Sequence, residues 1–271
     1  MAITTTDTLL AGFLPMVNIV KASATAKAAG VSHSMIYVAG MPGAFTVPTP
    51  GIAGAALTSY AGQVRFPAPV GGENVYLARV EALQGASIGA IGLVDRLWHN
   101  SGIVLATTTA QTVNSVAWPA RDRDGSTAGA GVMVALEVAT ATLNGGAVAN
   151  TTMSYTNSDG TPGRTATLPT TPATSVVGTF MPFMLAAGDR GVQSIQSVTL
   201  GTTYGTTGTI HLVAYRELVN LGTPVANVNV QADAWALGLP ICYDNSVPFV
   251  VVTPTGTALG SVNMQVTWAQ G

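Results

Sequence analysis

The sequence predicts an antiparallel all-β fold, and three observations carry that expectation. Apolar and polar residues alternate with period two in segment after segment. Breaks rich in Gly, Pro and Asn recur between those segments at intervals of roughly 8–12 residues, the spacing of a sandwich or barrel. One stretch alone, Val17 to Gly30, reads as helix. With 271 residues the chain is long enough to bury a core without metal or disulfide staples.

The strands follow from the alternation. In SVNMQVTW, Val262, Met264, Val266 and Trp268 share one face, and Ser261, Asn263, Gln265 and Thr267 the other. GVMVALEVAT sets Val132, Val134, Leu136 and Val138 on one side, and NVNVQAD sets Val228, Val230 and Ala232 against Asn227, Asn229, Gln231 and Asp233. Further strands are expected in ENVYLARVEAL, SIGAIGLVDRLW, TTMSYT, GRTATL, VVGTFMPFML, VQSIQSVTL, TGTIHLVAYREL and VPFVVVTP. Each should have one buried face and one solvated or partner-facing face, the antiparallel habit. TNSDGTPG, between TTMSYT and GRTATL, predicts a hairpin loop in which Asp159-Gly160 supplies positive φ.

The beginning of the chain differs. VNIVKASATAKAAG predicts a short helix that ends at Gly30. MPGAFTVPTPGIAG and RFPAPVGG then scatter Pro and Gly with little alternation. Residues 1–72 are therefore expected to be an extended arm or irregular layer, and residues 73–271 the β-sandwich core.

Charged residues make up 8% of the chain, against about a quarter in most soluble domains. Such a surface is covered by Thr, Ser, Asn, Gln and Gly, and weak charge repulsion favours association. A chain that normally sits in an assembly is expected; a secreted, Thr-rich monomer is the plainer alternative. No apolar run approaches the length of about 18 residues that a spanning helix needs, so no membrane partner is expected. The net charge of −2 leaves no electrostatic footprint for nucleic acid. The cations are eight Arg and two Lys, Lys21 and Lys27. Arg suits an interface where a cation pairs in a fixed plane, although codon usage gives the same bias. Cys242 is the one cysteine, so no intrachain disulfide forms. MAITTTDTLLAG lacks the basic start of a secretory signal, and synthesis in a cytoplasm is expected.

DRLWHNSGIV brings Asp95, His99 and Ser101 close together. They are the residue types of nucleophilic catalysis. A triad, however, needs Ser and Asp on opposite sides of the imidazole, usually from separate segments, and a GxSxG elbow is missing. A structural role is expected, with Trp98 packed and His99 bonded locally. RDRDGS, from Arg121, contains a DxDG fragment, but position 12 counted from Asp122 is Met133 where an EF-hand requires Glu. A tight turn with Arg–Asp pairing is expected, and a calcium site of another kind stays open. His33 and His211 have no second ligand at metal spacing, and His211 reads as an ordinary sheet residue. Cys242 reads as a small buried side chain. No phosphate-cradling glycine loop exists, and paired carboxylates for glycoside cleavage depend on three-dimensional separation. No catalytic, cofactor-binding or metal-ligating residue is assigned. No cofactor is expected, and the chain reads as a non-enzyme.

Several stretches taken together are similar to one kind of protein: DRLWHNSGI, TTTAQTVNS, GVMVALEVATA, SYTNSDGTPGRTATL, GTFMPFMLAAGDRGVQSIQSVTL, HLVAYREL and YDNSVPFVVVTPTGTALGSVNMQVTWAQG. They resemble virion structural proteins encoded among the head genes of tailed bacteriophages, from about Val75 to the C-terminus. The resemblance implies a β-sandwich or jelly-roll-like protein that forms a homotrimer. It would sit on the major capsid protein at the virion surface as a decoration (cement) protein, after synthesis in the host bacterial cytoplasm. An arm lying across a neighbouring subunit and ordering on contact fits that role. A tail, collar or fibre protein that binds a host surface is the alternative.

Overall fold

The computed structural model describes residues 2–26 and 28–271. The first part of the chain gives β1 (Val17–Thr25), β2 (His33–Ser34), β3 (Gly40–Met41) and β4 (Ala55–Ala56). The middle gives β5 (Val75–Gln84), β6 (Gly89–His99), β7 (Gln111–Thr112), β8 (Val132–Thr140), β9 (Thr152–Asn157), β10 (Arg164–Thr167), β11 (Phe180–Pro182), β12 (Val192–Thr199) and β13 (Thr209–Thr223). The end gives β14 (Val230–Ala232), β15 (Ile241–Cys242), β16 (Pro248–Pro254) and β17 (Ala258–Gln270). Two short α-helices, α1 (Thr6–Ala11) and α2 (Ala234–Leu237), and one 3-10 turn, Met35–Tyr37, complete the described residues. Thr5 starts α1 through a reciprocal capping box with Thr8. Asp233 starts α2 by accepting from the amides of Trp235 and Ala236.

The fold is antiparallel and all-β, as the alternation predicts. Every expected strand is present, although NVNVQAD is paired over three residues only, and Val228 is 48% exposed. The helix expected in VNIVKASATAKAAG is not there. Its first nine residues are β1, which runs along β17 from Val17 opposite Val266 to Lys21 opposite Val262. Ile19 and Lys21 are both buried, two positions apart, which is strand spacing. A full ladder on β17 outweighs the modest helix propensity of Ala and Lys.

Three sheets result. Sheet A has the order β14-β5-β17-β1-β3, with β15 also on β5. Sheet C has the order β10-β9-β12-β7, and β9 and β10 form the expected hairpin. Sheet B has the order β11-β8-β13-β6-β16-β2, with β4 on β6. Sheet B closes on itself. β2 pairs with β16, Ser34 opposite Val251, and on its other side His33 bridges Thr179. The Ser34 amide donates to the Gly178 carbonyl at 2.8 Å, and the Phe180 amide to the Ser32 carbonyl at 2.7 Å. A closed ring leaves no edge and encloses an interior.

The ring explains the burial of its strands. On its outside, Val132, Val134, Leu136 and Val138 of β8 pack with Met153, Ile195 and Val198 of sheet C. Farther along, Ile91 and Leu93 of β6 and Val250 and Val252 of β16 pack with Val80, Val266 and Trp268 of sheet A. On its inside, Val94, Ala135, Phe180, Val213, Tyr215 and Phe249 meet Ile36, Val47, Leu57 and Tyr60, which come from residues 35–60 lying over one end of the ring. The ring strands β6, β8 and β13 are thus buried on both faces over much of their length, where one solvated face was expected. β9 and β17 keep the expected alternation, whereas β12 buries every third residue, Val192, Ile195 and Val198, because its register shifts twice against β9.

The seam needs a glycine. Gly178 has φ +86°, and a Cβ there would lie 2.9 Å from the Ser34 carbonyl oxygen, the acceptor side of the closing strand. Gly188 has almost the same φ, +87°, with open space around it. The left-handed conformation alone costs an alanine about 1–2 kcal/mol. Gly188→Ala should lose about that much in urea unfolding, and Gly178→Ala about 2–4 kcal/mol because the backbone must also part. Equal losses would remove the tight seam from this account.

Candidate functional site

The residues with chemical potential gather around one stretch, Asp95 to Ser101, at the end of β6. Asp95 points out of the ring. It accepts from the Val247 amide at 2.7 Å and the Ser246 hydroxyl at 3.0 Å, with Arg121 at 3.5 Å and Arg216 at 3.9 Å. These charges sit between the two apolar cores. Arg96 points into the ring and donates to both oxygens of Glu137, at 3.0 and 2.7 Å, with both side chains wholly buried. Tyr37 donates to the same carboxylate at 3.1 Å, and the guanidinium lies 5.6 Å from the Phe249 ring centre. Burial alone would raise the Glu137 carboxyl; the guanidinium outweighs it and holds the group below its ordinary value.

The rest of the stretch ties down the segment that covers the ring. The Leu97 carbonyl accepts from the Leu57 amide at 2.8 Å. The Trp98 indole donates to the Ala53 carbonyl at 3.2 Å, and Gly54 is bare because a Cβ there would overlap that indole. His99 Nε2 donates to the Pro48 carbonyl at 3.0 Å, which fixes the neutral Nε2–H tautomer. Asn100 donates to the Ile52 carbonyl at 3.1 Å. Ser101 and Gly51 exchange two bonds, the Ser101 amide to the Gly51 carbonyl at 2.9 Å and the Gly51 amide to the Ser101 hydroxyl at 2.8 Å.

Asp95, His99 and Ser101 are therefore not brought together. Asp95 faces the outside of the ring, His99 the inside, and the Ser101 hydroxyl is occupied by the Gly51 amide. Trp98 is packed as expected, whereas His99 bonds to a residue 51 positions away, not locally. His211, read as an ordinary sheet residue, stacks on His99 inside the ring, with centroids 5.9 Å apart and planes at 12°. His33 lies on the closing strand. Cys242 is buried in the core against sheet A, and burial pushes its thiol up to about 12, so it carries no nucleophilic thiolate near neutrality.

In RDRDGS the aspartate organises a turn. Asp122 accepts from the amides of Asp124, Ser126, Gly129 and Ala130 and from the Ser126 hydroxyl, at 2.7 to 3.0 Å. Burial acts to raise its carboxyl, but these bonds outweigh it and hold the group below its ordinary value. Arg123 pairs with Asp124 at the surface, the expected Arg–Asp contact. The carboxylate's lone pairs are spent on protein donors, which is the chemistry of a turn and not of a cation ligand. The three fully buried carboxylates among the described residues, Asp95, Asp122 and Glu137, are each held by arginines or by amide and hydroxyl donors. Arg96, Arg121 and Arg216, expected at an interface, lie inside the molecule: Arg96 makes the planar pair with Glu137, while Arg121 and Arg216 sit near Asp95 and donate to backbone carbonyls. The strand order is the signal that sequence reading lacked: the lone Arg of GLVDRLW and the lone Glu of VALEVA lie on strands that flank β13.

No family model and no curated protein matches the chain. Among solved structures, infectious bursal disease virus of the Gt strain is similar at 10% identity, with 96% of this chain and 81% of that chain covered and a TM-score of 0.22. The VP2 subviral particle of the same virus is similar at 9% identity over 99% and 82%, with a TM-score of 0.24. The Gx strain gives 10% identity over 95% and 80%, with a TM-score of 0.22. Likeness at this level does not bear on function.

Two predictions follow from the buried groups. Arg96→Met leaves the Glu137 carboxylate buried without its partner and should cost about 3–5 kcal/mol in denaturant unfolding, whereas Arg96→Met with Glu137→Leu should cost less than either single change. Asp122→Ala strands four amides and should lose about 3 kcal/mol, while millimolar calcium should leave the wild-type melting temperature unchanged. A rise in that temperature on adding calcium would restore a cation to the loop.

Proposed function

We propose that this chain is a non-enzymatic structural protein of a virion, which binds the outer surface of a tailed-phage capsid as a homotrimer and stabilises the shell. The observation that carries the reading is the outer face of sheet C. Register places Thr165, Ser154, Ser197 and Thr112 in one row across four strands, and Thr167, Thr152 and Thr199 in the next. Between these rows the strands send Met153, Ala166 and Val198 to the core, so the face is tiled by hydroxyls and carries no charge in either row. A hydroxyl both donates and accepts, so such a face makes many adaptable, water-bridged contacts without matched charges.

Binding the assembled shell and not its separated subunits stabilises the shell by mass action, and requires no chemistry. That agrees with residues Asp95 to Ser101, whose polar groups hold the fold. The phrases resembling phage head-gene proteins point the same way. A threefold oligomer is a closed symmetry that matches positions a capsid lattice offers.

The test is co-sedimentation of the purified protein with undecorated capsids, with light scattering for mass. Saturable binding, a trimer mass and a higher capsid disruption temperature are expected. Thr165→Glu with Thr199→Glu, which do not face each other across a strand pair, should weaken binding about tenfold or more, since charge is placed in both rows of the contact, and leave the protein's own melting temperature nearly unchanged. A monomer that ignores capsids would overturn the proposal, and binding to host-surface glycans instead would favour the tail or fibre alternative.

A further inference from the structure

The inside of the ring carries two imidazoles that the fold ties do not fully use. His99 Nδ1 and both ring nitrogens of His211 have no hydrogen-bond partner. The groups facing the pair are few. β6 supplies Arg96 and β8 supplies Glu137, already joined to each other. The covering segment supplies Tyr37 and Tyr60, β13 supplies Tyr215, and β11 and β16 face the interior with Phe180 and Phe249. His33 stands on the seam. A proton on either stacked imidazole therefore adds a cation beside Arg96, with Glu137 already taken.

The same pair lies under a segment with little strand pairing. Residues 45–60 have strand pairing only at β4, two residues long, and are otherwise held by scattered hydrogen bonds, most of them to residues 97–101, with the Val116 amide on the Ala53 carbonyl and Arg121 on the Leu57 carbonyl besides. One of those bonds is from His99 itself to the Pro48 carbonyl. By contrast, the strands of the ring are held from outside by two apolar cores.

We propose that residues 45–60 are an acid-releasable cover: protonation of the stacked His99 and His211 detaches this segment from the end of the ring, while the ring and its two outer sheets stay folded. Release would bare Phe45, Val47, Leu57 and Tyr60, which pack inward in the closed form. The proposal concerns this chain alone and does not depend on capsid binding.

The direction follows from linkage. Burial is the main cause that lowers both imidazoles, His99 to about 3 with help from Arg96 and His211, and His211 to about 4 against the pull of Glu137. The open form, with solvated imidazoles near the ordinary 6.5, binds more protons than the closed one below that pH. The closed form is thus fully favoured above about 6.5, and the advantage is lost as pH falls towards 4 and 3. His33, lowered to about 4 by burial, adds to the same trend at the seam and must be separated from the pair.

The test is hydrogen exchange on the full chain from pH 7 to 3.5, corrected for the intrinsic rate at each pH. Protection of residues 45–60 should fall by about tenfold or more between pH 6 and 4, while β5, β9, β12 and β17 stay protected. His211→Phe with His99→Gln, which keeps a donor for the Pro48 carbonyl, should move the midpoint down by about one pH unit or more. If that double variant does not fold, His211→Phe alone serves, since neither ring nitrogen of His211 is bonded. Loss of protection in all sheets together, a cover that stays closed to pH 3.5, or opening at an unchanged pH in the variant would each overturn the proposal.

Discussion

Arg96 and Glu137 meet as a two-pronged ion pair inside a closed ring of strands, and water must be kept from both for the pair to hold its geometry. Removing two ions from water is costly, and the return comes only when every remaining donor and lone pair has a partner. The elements around the pair meet most of that condition, Arg96 Nε being the one nitrogen of its guanidinium left without a partner. β2 closes the ring, Tyr37 takes another position on the carboxylate, and Phe249 lies against the guanidinium. Residues 35–60 shut the open end, and residues Asp95 to Ser101 hold them there. The pair and the enclosure require each other.

The same economy accounts for a chain so poor in charge. Of the eight arginines, three are spent within the fold, on Glu137, on Asp95 and on backbone carbonyls. Lys21 is likewise buried and donates to the carbonyls of Val38 and Pro42. The two rows on the outer face of sheet C are left to hydroxyls. Reading scattered arginines as interface residues assigned the right chemistry to the wrong side of the surface.

Much of the architecture was legible because period two is a local signal. Val262 to Trp268 are buried as their spacing says, and the TNSDGTPG hairpin joins the two strands expected on either side. What was not legible is the part decided at a distance. β1 is a strand because β17 lies beside it, and nothing within VNIVKASATAKAAG states that. Glu137 and His211 look like polar interruptions until the ring closes, whereupon the face assumed to meet solvent becomes the interior. The chemistry was read more safely than the topology: Asp95, His99 and Ser101 failed as a triad in sequence for want of separation, and in space they face different ways.

The seam also orders events in time. Ser32 and Thr253, which share a hydroxyl hydrogen bond at 2.7 Å, are 221 positions apart in the chain. β1 likewise waits for β17, which ends at Gln270. A nascent chain leaving the ribosome can form the β9–β10 hairpin early, but its ring stays open and β1 has only the short β3 beside it until β16 and β17 are made. Contacts of such long range make closure slow relative to local pairing. During that interval the interior faces of β8 and β13 are exposed to solvent and neighbouring chains, so the yield of folded protein is set by how long β1 and β2 take to find β17 and β16.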